Sequence, residues 1–169
     1  RRTLLLPTSS VAIRPFVMDD IPVVIARHKA LYTEEHDLSS VTLADTIDQG
    51  IKHFVQNFNP RKECLYILES EGRRTGSIAV AHEGDVMAQI KYFLIDPEVR
   101  GLGAGRKLLQ EALDFCRDRQ YKHVFLWTFN SLNAARHLYR STCFRLTEIR
   151  ENSQWGAVVE EERWDLELV

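Results

Sequence analysis

Three glycines fall within five residues in the run Arg100-Gly101-Leu102-Gly103-Ala104-Gly105. Ahead of them lies the apolar stretch Ile90 to Ile95, which reads as a strand ended by Asp96-Pro97, because proline stops ladder pairing. Behind them Leu108, Leu109, Ala112, Leu113 and Cys116 recur at helical spacing and predict a helix from Arg106 to Arg119. A glycine-rich turn in front of a helix leaves several backbone N–H groups unpaired and pointing at one spot. The helix dipole adds partial positive charge there, and Arg100, Arg106 and Lys107 add whole charges. These features together predict an anion cradle that a diphosphate would fit; plain strand-to-helix punctuation is the alternative.

A second group lies near the N-terminus. His28, Tyr32 and Glu35 are spaced i, i+4, i+7 and share one face of a predicted helix, with Glu34 and His36 close in sequence. Imidazole, phenol and carboxylate together can hold a cationic amine and accept its proton. A solvated helix face with a satisfied histidine accounts for the same spacing, and both readings stand.

Two familiar phosphate loops are excluded by residue type. A Walker loop needs a second glycine where Arg106 stands and a Ser or Thr after the lysine. The dinucleotide fingerprint needs G-x-G-x-x-G, and Gly101-x-Gly103-x-Gly105 is spaced differently. The pattern that remains, R-x-x-G-x-G, resembles the acetyl-coenzyme A signature of the GNAT acetyltransferases. The likeness extends over about Val11 to Leu168 in the order of elements. It includes the strand Val124-Phe125-Leu126-Trp127, the run Asn133-Ala134-Ala135-Arg136-His137-Leu138-Tyr139, and Cys143-Phe144. More narrowly the chain resembles the acetyltransferase domain found behind MarR-type DNA-binding domains. That likeness rests on Arg27-His28-x-x-Leu31-Tyr32-x-x-Glu35, Leu126-Trp127-Thr128, Leu132-x-Ala134-Ala135-Arg136 and Trp164-x-Leu166-x-Leu168.

The resemblance implies specific roles. The pantetheine arm of acetyl-CoA would pair with the strand edge Phe93-Leu94-Ile95, and the amide near Leu94 would donate to the acetyl oxygen. Arg100, Gly101, Leu102, Gly103, Ala104, Gly105, Arg106 and Lys107 would hold the diphosphate. Tyr139 would protonate the thiolate; an ordinary half-buried tyrosine is the alternative. Asn133 or Asn130 would contact the pantetheine arm, or cap the helix; the family's usual asparagine position is Leu132 here. Some members place a glutamate base in the fourth strand. Gln89 and Lys91 stand there in this chain, so the base must come from elsewhere or water must carry the proton out. Glu35 and His28 are the candidates, with Tyr32, Trp127 and Trp155 as further acceptor contacts.

The implied activity is N-acetyl transfer from acetyl-CoA to a primary amine, expected to be a small molecule, directly within a ternary complex. No cysteine is placed as an acyl carrier. Other readings remain: a protein or peptide N-acetyltransferase, a non-catalytic acyl-CoA sensor, and a transferase for a larger acyl group.

Composition agrees with one α/β domain of 169 residues, 44% apolar and 27% charged. A net charge of -2 gives no global field for nucleic acid or an anionic membrane. No apolar run approaches the length of a membrane span. Cys64, Cys116 and Cys143 have no metal-ligand spacing and read as small buried hydrophobes. The expectation is a cytoplasmic monomer or homodimer without a metal. Residues 1–10 read as a leader or extension and 11–169 as the GNAT domain. The α/β (α+β) fold should have a mixed central sheet of 6–7 strands with helices on both faces, in β-α-α-β-β-β-α-β-α-β-β order. Asp19 is expected to cap the first helix, which carries Ile21, Val24, Ile25 and Ala30 on its apolar face. Ser40 or Thr42 should cap the second. A loop at Gln154-Trp155-Gly156 would project over the substrate mouth.

Overall fold

The computed structural model describes residues 11–36, 41–129, 133–153 and 158–168, with the side chains of Glu35 and His36 outside that description. Also outside it lie Arg1 to Ser10, Ser40, Asn130, Leu132 and Trp155. The elements run β1 (Val11–Pro15), a 3-10 turn (Met18–Asp20), α1 (Ile21–His36), α2 (Val41–Gln56), β2 (Cys64–Ser70), β3 (Arg73–Gly84) and β4 (Met87–Ile95). A second 3-10 turn (Pro97–Val99), α3 (Ala104–Asp118), β5 (His123–Phe129), α4 (Asn133–Ser141), β6 (Arg145–Asn152) and β7 (Val159–Glu167) follow. This is the expected order.

The strands form one seven-stranded sheet ordered β1-β2-β3-β4-β5-β7-β6. All neighbours are antiparallel except β4 and β5. The parallel pair needs a crossover, and α3 supplies it. Alternation along the strands divides the side chains between two cores. On one face Leu68, Ile78, Val80, Ile90, Val124, Leu126 and Trp164 pack beneath α3 and α4. On the other, Leu65, Ile67, Ala79, Ala81 and Phe129 pack against α1 and α2.

Several local expectations are corrected. Asp20, not Asp19, ties down the chain before α1: its carboxylate accepts the Val17 N–H at 2.7 Å and is fully buried. Arg14 meets it bidentately at 2.8 and 2.9 Å, and Arg74 Nε donates to it at 2.6 Å. The short 3-10 turn between Val17 and α1 turns Asp20 inward. Ala30 is exposed, and His28 and Leu31 complete the buried face of α1 with Ile21, Val24 and Ile25. Thr42 lies inside α2 instead of capping it. Helix α3 begins at Ala104, so the end of the glycine run is its first turn. Among the described residues no helix is long and apolar enough to cross a membrane.

Candidate active site

The strand pair β4–β5 opens. Its register is Met87 with His123, Ala88 with Val124 and Gln89 with Phe125, and it goes no further. Beyond that point β4 stays paired with β3 as far as Ile95 opposite Gly76. β5 stays paired with β7 as far as Phe129 opposite Glu161. Two strands held by their outer neighbours but not by each other leave a wedge between them, edged by Phe93, Leu94 and Ile95.

A bulge accompanies the parting. Ser77 faces Leu94 and Ala79 faces Lys91, so Tyr92 and Phe93 together oppose Ile78. Tyr92 adopts φ 52°, a left-handed conformation that a bulky residue holds at a cost of about 1–3 kcal/mol. The Ser77 hydroxyl donates to the Tyr92 carbonyl at 2.7 Å and secures it. Bulged strands bend and twist more strongly, which turns the end of β4 away from β5. The close packing behind it is specific. A Cβ on Gly76 would lie 2.8 Å from the Leu94 carbonyl oxygen, so glycine lets the bent strand approach. A small cavity on the α1 side is lined by Val24, Arg27, Ser77, Leu94 and Asp96. Asp96 is buried, and burial pushes its carboxyl up against the pull of Arg27, whose Nη1 lies 2.8 Å away.

The glycine loop leads from the end of β4 into α3. Gly101 and Gly103 have φ of 81° and 80°, which only glycine adopts freely. Among the described residues, apart from the chain neighbours, no atom lies within 4 Å of where a Cβ would stand at either position. The first helical bond runs from Lys107 N–H to the Gly103 carbonyl at 3.1 Å. The amides of Ala104, Gly105 and Arg106 therefore have no acceptor within the helix. Arg100 turns back, its Nε donating to the Ile95 carbonyl at 2.9 Å. Arg106 donates to Ser141 Oγ at 2.8 Å and ties α3 to α4. Leu102 and Lys107 are exposed. The glycine loop and the first turn of α3 thus lie beside the end of β4, where the wedge opens.

Tyr139 projects from α4 into the core under the wedge and is 5% exposed. Its ring centroid lies 6.4 Å from Phe93, 5.8 Å from Phe144 and 6.1 Å from Trp164. Burial, then the nearby Tyr32 phenol, push its hydroxyl well above the ordinary range. Tyr139 therefore keeps its proton at neutral pH, as an acid must. Tyr32 comes from the opposite face of the sheet, and the two phenols influence each other where β4 and β5 part. Asn133 is exposed at the start of α4.

On the α1 face His28 and Tyr32 do come together, their rings 6.3 Å apart. His28 is buried and Tyr32 half-buried, where a solvated face was the alternative. His28 Nδ1 donates to the Val24 carbonyl at 2.8 Å, which assigns the proton to that nitrogen. Nε2 is buried and, among the described residues, has no hydrogen-bond partner. Burial pulls the imidazole down to about 4, so it is neutral at physiological pH with a free lone pair. Tyr92 stands 5.8 Å from it across an edge contact. The Tyr32 ring is 5.7 Å from Phe129; desolvation, then Glu161, push its phenol up to about 12. Trp127 is half-buried beneath the Arg150 guanidinium, which stands 3.8 Å from its ring centroid. Among the described residues no group of His, Cys, Asp and Glu could hold a metal ion.

Three residues of this region had no sequence signal. Tyr92 and Ser77 sit in strands whose bulge leaves no mark in residue type. Glu161 is one of three consecutive glutamates, Glu160 to Glu162. Glu161 and Glu162 are both buried, on opposite faces of β7. Composition reads such a run as solvated. Arg150 and Arg136, from β6 and α4, supply the charges that permit burial.

Comparison with known proteins gives a concordant result. The profile of the GNAT acetyltransferase family matches residues 28–143. The camello protein of Xenopus tropicalis is 26% identical over 131 residues, 76% of this chain and 58% of that protein. N-acetyltransferase 8B of Homo sapiens is 29% identical over 102 residues, 57% of this chain and 45% of that protein. The chain thus spans about half the length of these relatives. Among solved structures, a GNAT-family acetyltransferase from Staphylococcus aureus Mu50 superposes with a TM-score of 0.78 at 16% identity, covering 94% of this chain and 99% of that one. The Salmonella typhimurium protein yncA, solved with acetyl-CoA, gives 0.76 at 16% identity over 95% of each chain. The chain belongs to the GNAT family of acetyltransferases.

Proposed function

We propose that this domain transfers an acetyl group from acetyl-CoA to the primary amine of a small molecule, directly within a ternary complex. The observation that carries the reading is the parting of β4 and β5 after Gln89 and Phe125, beside a loop whose left-handed glycines open onto the free amides of α3. A thioester needs such a slot to be held at the attack angle, and positioning contributes several kcal/mol. The amides of Ala104, Gly105 and Arg106 and the cations around them hold the diphosphate. The edge of Phe93, Leu94 and Ile95 holds the pantetheine arm, with the Leu94 amide meeting the oxygen as it gains charge. Tyr139 gives its proton to the departing sulfur. His28 Nε2 accepts an N–H of the attacking amine, and the proton leaves through Glu35 or water.

The wider setting follows the same reading. The acetyl-CoA of the Salmonella structure supports the choice of donor. The narrower likeness to the acetyltransferase half of MarR-type proteins rests on the sequence alone. The test is release of free coenzyme A thiol from acetyl-CoA against a panel of primary amines. Amine-dependent release is the expected result. Silence across the panel while coenzyme A still binds would replace the transferase with an acyl-CoA sensor.

A further inference from the structure

Glu161 stands where the sequence offered no carboxylate. It is 4% exposed, and its strand partners are Phe129 on one side and Arg150 on the other. Directly paired residues share a face of the sheet, so Glu161 faces α1 beside Phe129 and Tyr32, at the open end of β5. Among the described residues, Glu161 accepts hydrogen bonds on Oε1 from Arg150 Nε at 2.8 Å and Asn152 Nδ2 at 3.4 Å. An ionised carboxylate offers about four acceptor sites, so capacity remains.

The surroundings are uniform in chemistry. The Tyr32 and Phe129 rings, packed edge to face 5.7 Å apart, stand beside Glu161. His28 Nε2 is a buried lone pair that meets no donor among the described residues. A ligand rich in N–H donors and positively charged complements all of these at once. A buried carboxylate without a counter-charge is costly, so a cation beside it favours its ionised form. Arg150 fills that role at rest. Its side chain is half exposed on the edge strand β6, and its guanidinium lies over the Trp127 ring. If it lets go of Glu161 it keeps that stacking and solvent.

Resting on the acetyl-transfer reading, we propose that Glu161 receives the ammonium of the acceptor amine and that Arg150 is the resident counter-ion the amine displaces. Glu161 thereby selects cationic amines over neutral nucleophiles.

The experiment compares acetyl transfer to butylamine and to hydroxylamine, which is uncharged at neutral pH, after subtraction of the enzyme-free rate. In Glu161→Gln the preference in kcat/KM for butylamine over hydroxylamine should fall about ten- to a hundred-fold, the worth of one hydrogen bond to a charged group. In Arg150→Gln the competing cation is gone, and the KM for butylamine should fall several-fold. A Glu161–Arg150 pair that merely braces β6 against β7 would lower the melting temperature of both variants and leave the preference where it was; that outcome overturns the proposal. If Glu161→Gln does not fold, Arg150→Gln decides alone, and an unchanged or raised KM for butylamine is the overturning result. A wild-type protein that transfers to neither nucleophile overturns the acetyl-transfer reading and this proposal with it. Transfer with an unaltered preference overturns this proposal only.

Discussion

The diphosphate cradle can be tested with two glycines that share a backbone conformation but not a location. Gly103 has φ 80° and Gly72 has φ 78°, and a Cβ at either would meet nothing within 4 Å. Gly72 sits in the turn between β2 and β3; Gly103 is the residue in front of α3. Alanine at either site carries the same left-handed strain, about 1–2 kcal/mol. For a domain of this size that lowers the melting temperature by about 2–8 °C. The two variants should therefore melt alike. Binding should separate them. Gly103→Glu adds an anion at the mouth of the cradle. At ~5 Å and an effective dielectric of about 40, each unit charge of the diphosphate repels the carboxylate by about 1.7 kcal/mol, so two such charges cost about 3 kcal/mol, on the order of 100-fold in Kd. Titration calorimetry with coenzyme A, run beside thermal melts, reads both quantities. Gly72→Ala should bind as the wild type does. Wild-type affinity in Gly103→Glu, or an equal loss in Gly72→Ala, refutes the placement of the cradle.

Other consequences follow from the buried charges. Arg14, by hydrogen bonding, holds the Asp20 carboxyl well below the usual carboxylate range despite burial, with Val17 and Arg74 helping. A depressed folded value stabilises above the unfolded value and is lost as pH falls through the folded one. Asp20→Asn should therefore cost about 3 kcal/mol at pH 7 and flatten the acid limb of a stability profile measured by urea denaturation below about pH 4. His123 runs the other way. Burial would lower it, but Asp165 at 2.5 Å and Glu167 overcome that and raise it. Its stabilisation is complete below about pH 6.5 and fades as pH rises through the folded value; thermal melts of His123→Gln between pH 6 and pH 9 should lose that slope. Tyr139→Phe removes the proposed acid and should reduce kcat about 100-fold while coenzyme A binding by calorimetry holds. A near-normal kcat would reduce Tyr139 to packing.

What the sequence could carry was local. Arg100 to Gly105 names its own backbone conformations, because left-handed residues at a helix start require glycine wherever the chain leaves open space. The helix over Leu108 to Cys116 and the order of elements along the chain are written in periodicity, and hydrophobic spacing decides which face is buried. His28 and Tyr32 were legible as neighbours because four residues are about one helical turn. What they neighbour was not legible. The free Nε2 of His28, the bulge at Tyr92 and the burial of Glu161 arise only when β7 slips between β5 and β6 and α1 closes over the result. A glutamate in a run of three reads as solvated until a distant arginine neutralises it. Two strands read as paired until their outer neighbours pull them apart. Backbone conformation is set by a residue and its immediate neighbours. Desolvation and charge pairing are set by whatever the fold brings alongside, and that is decided in three dimensions.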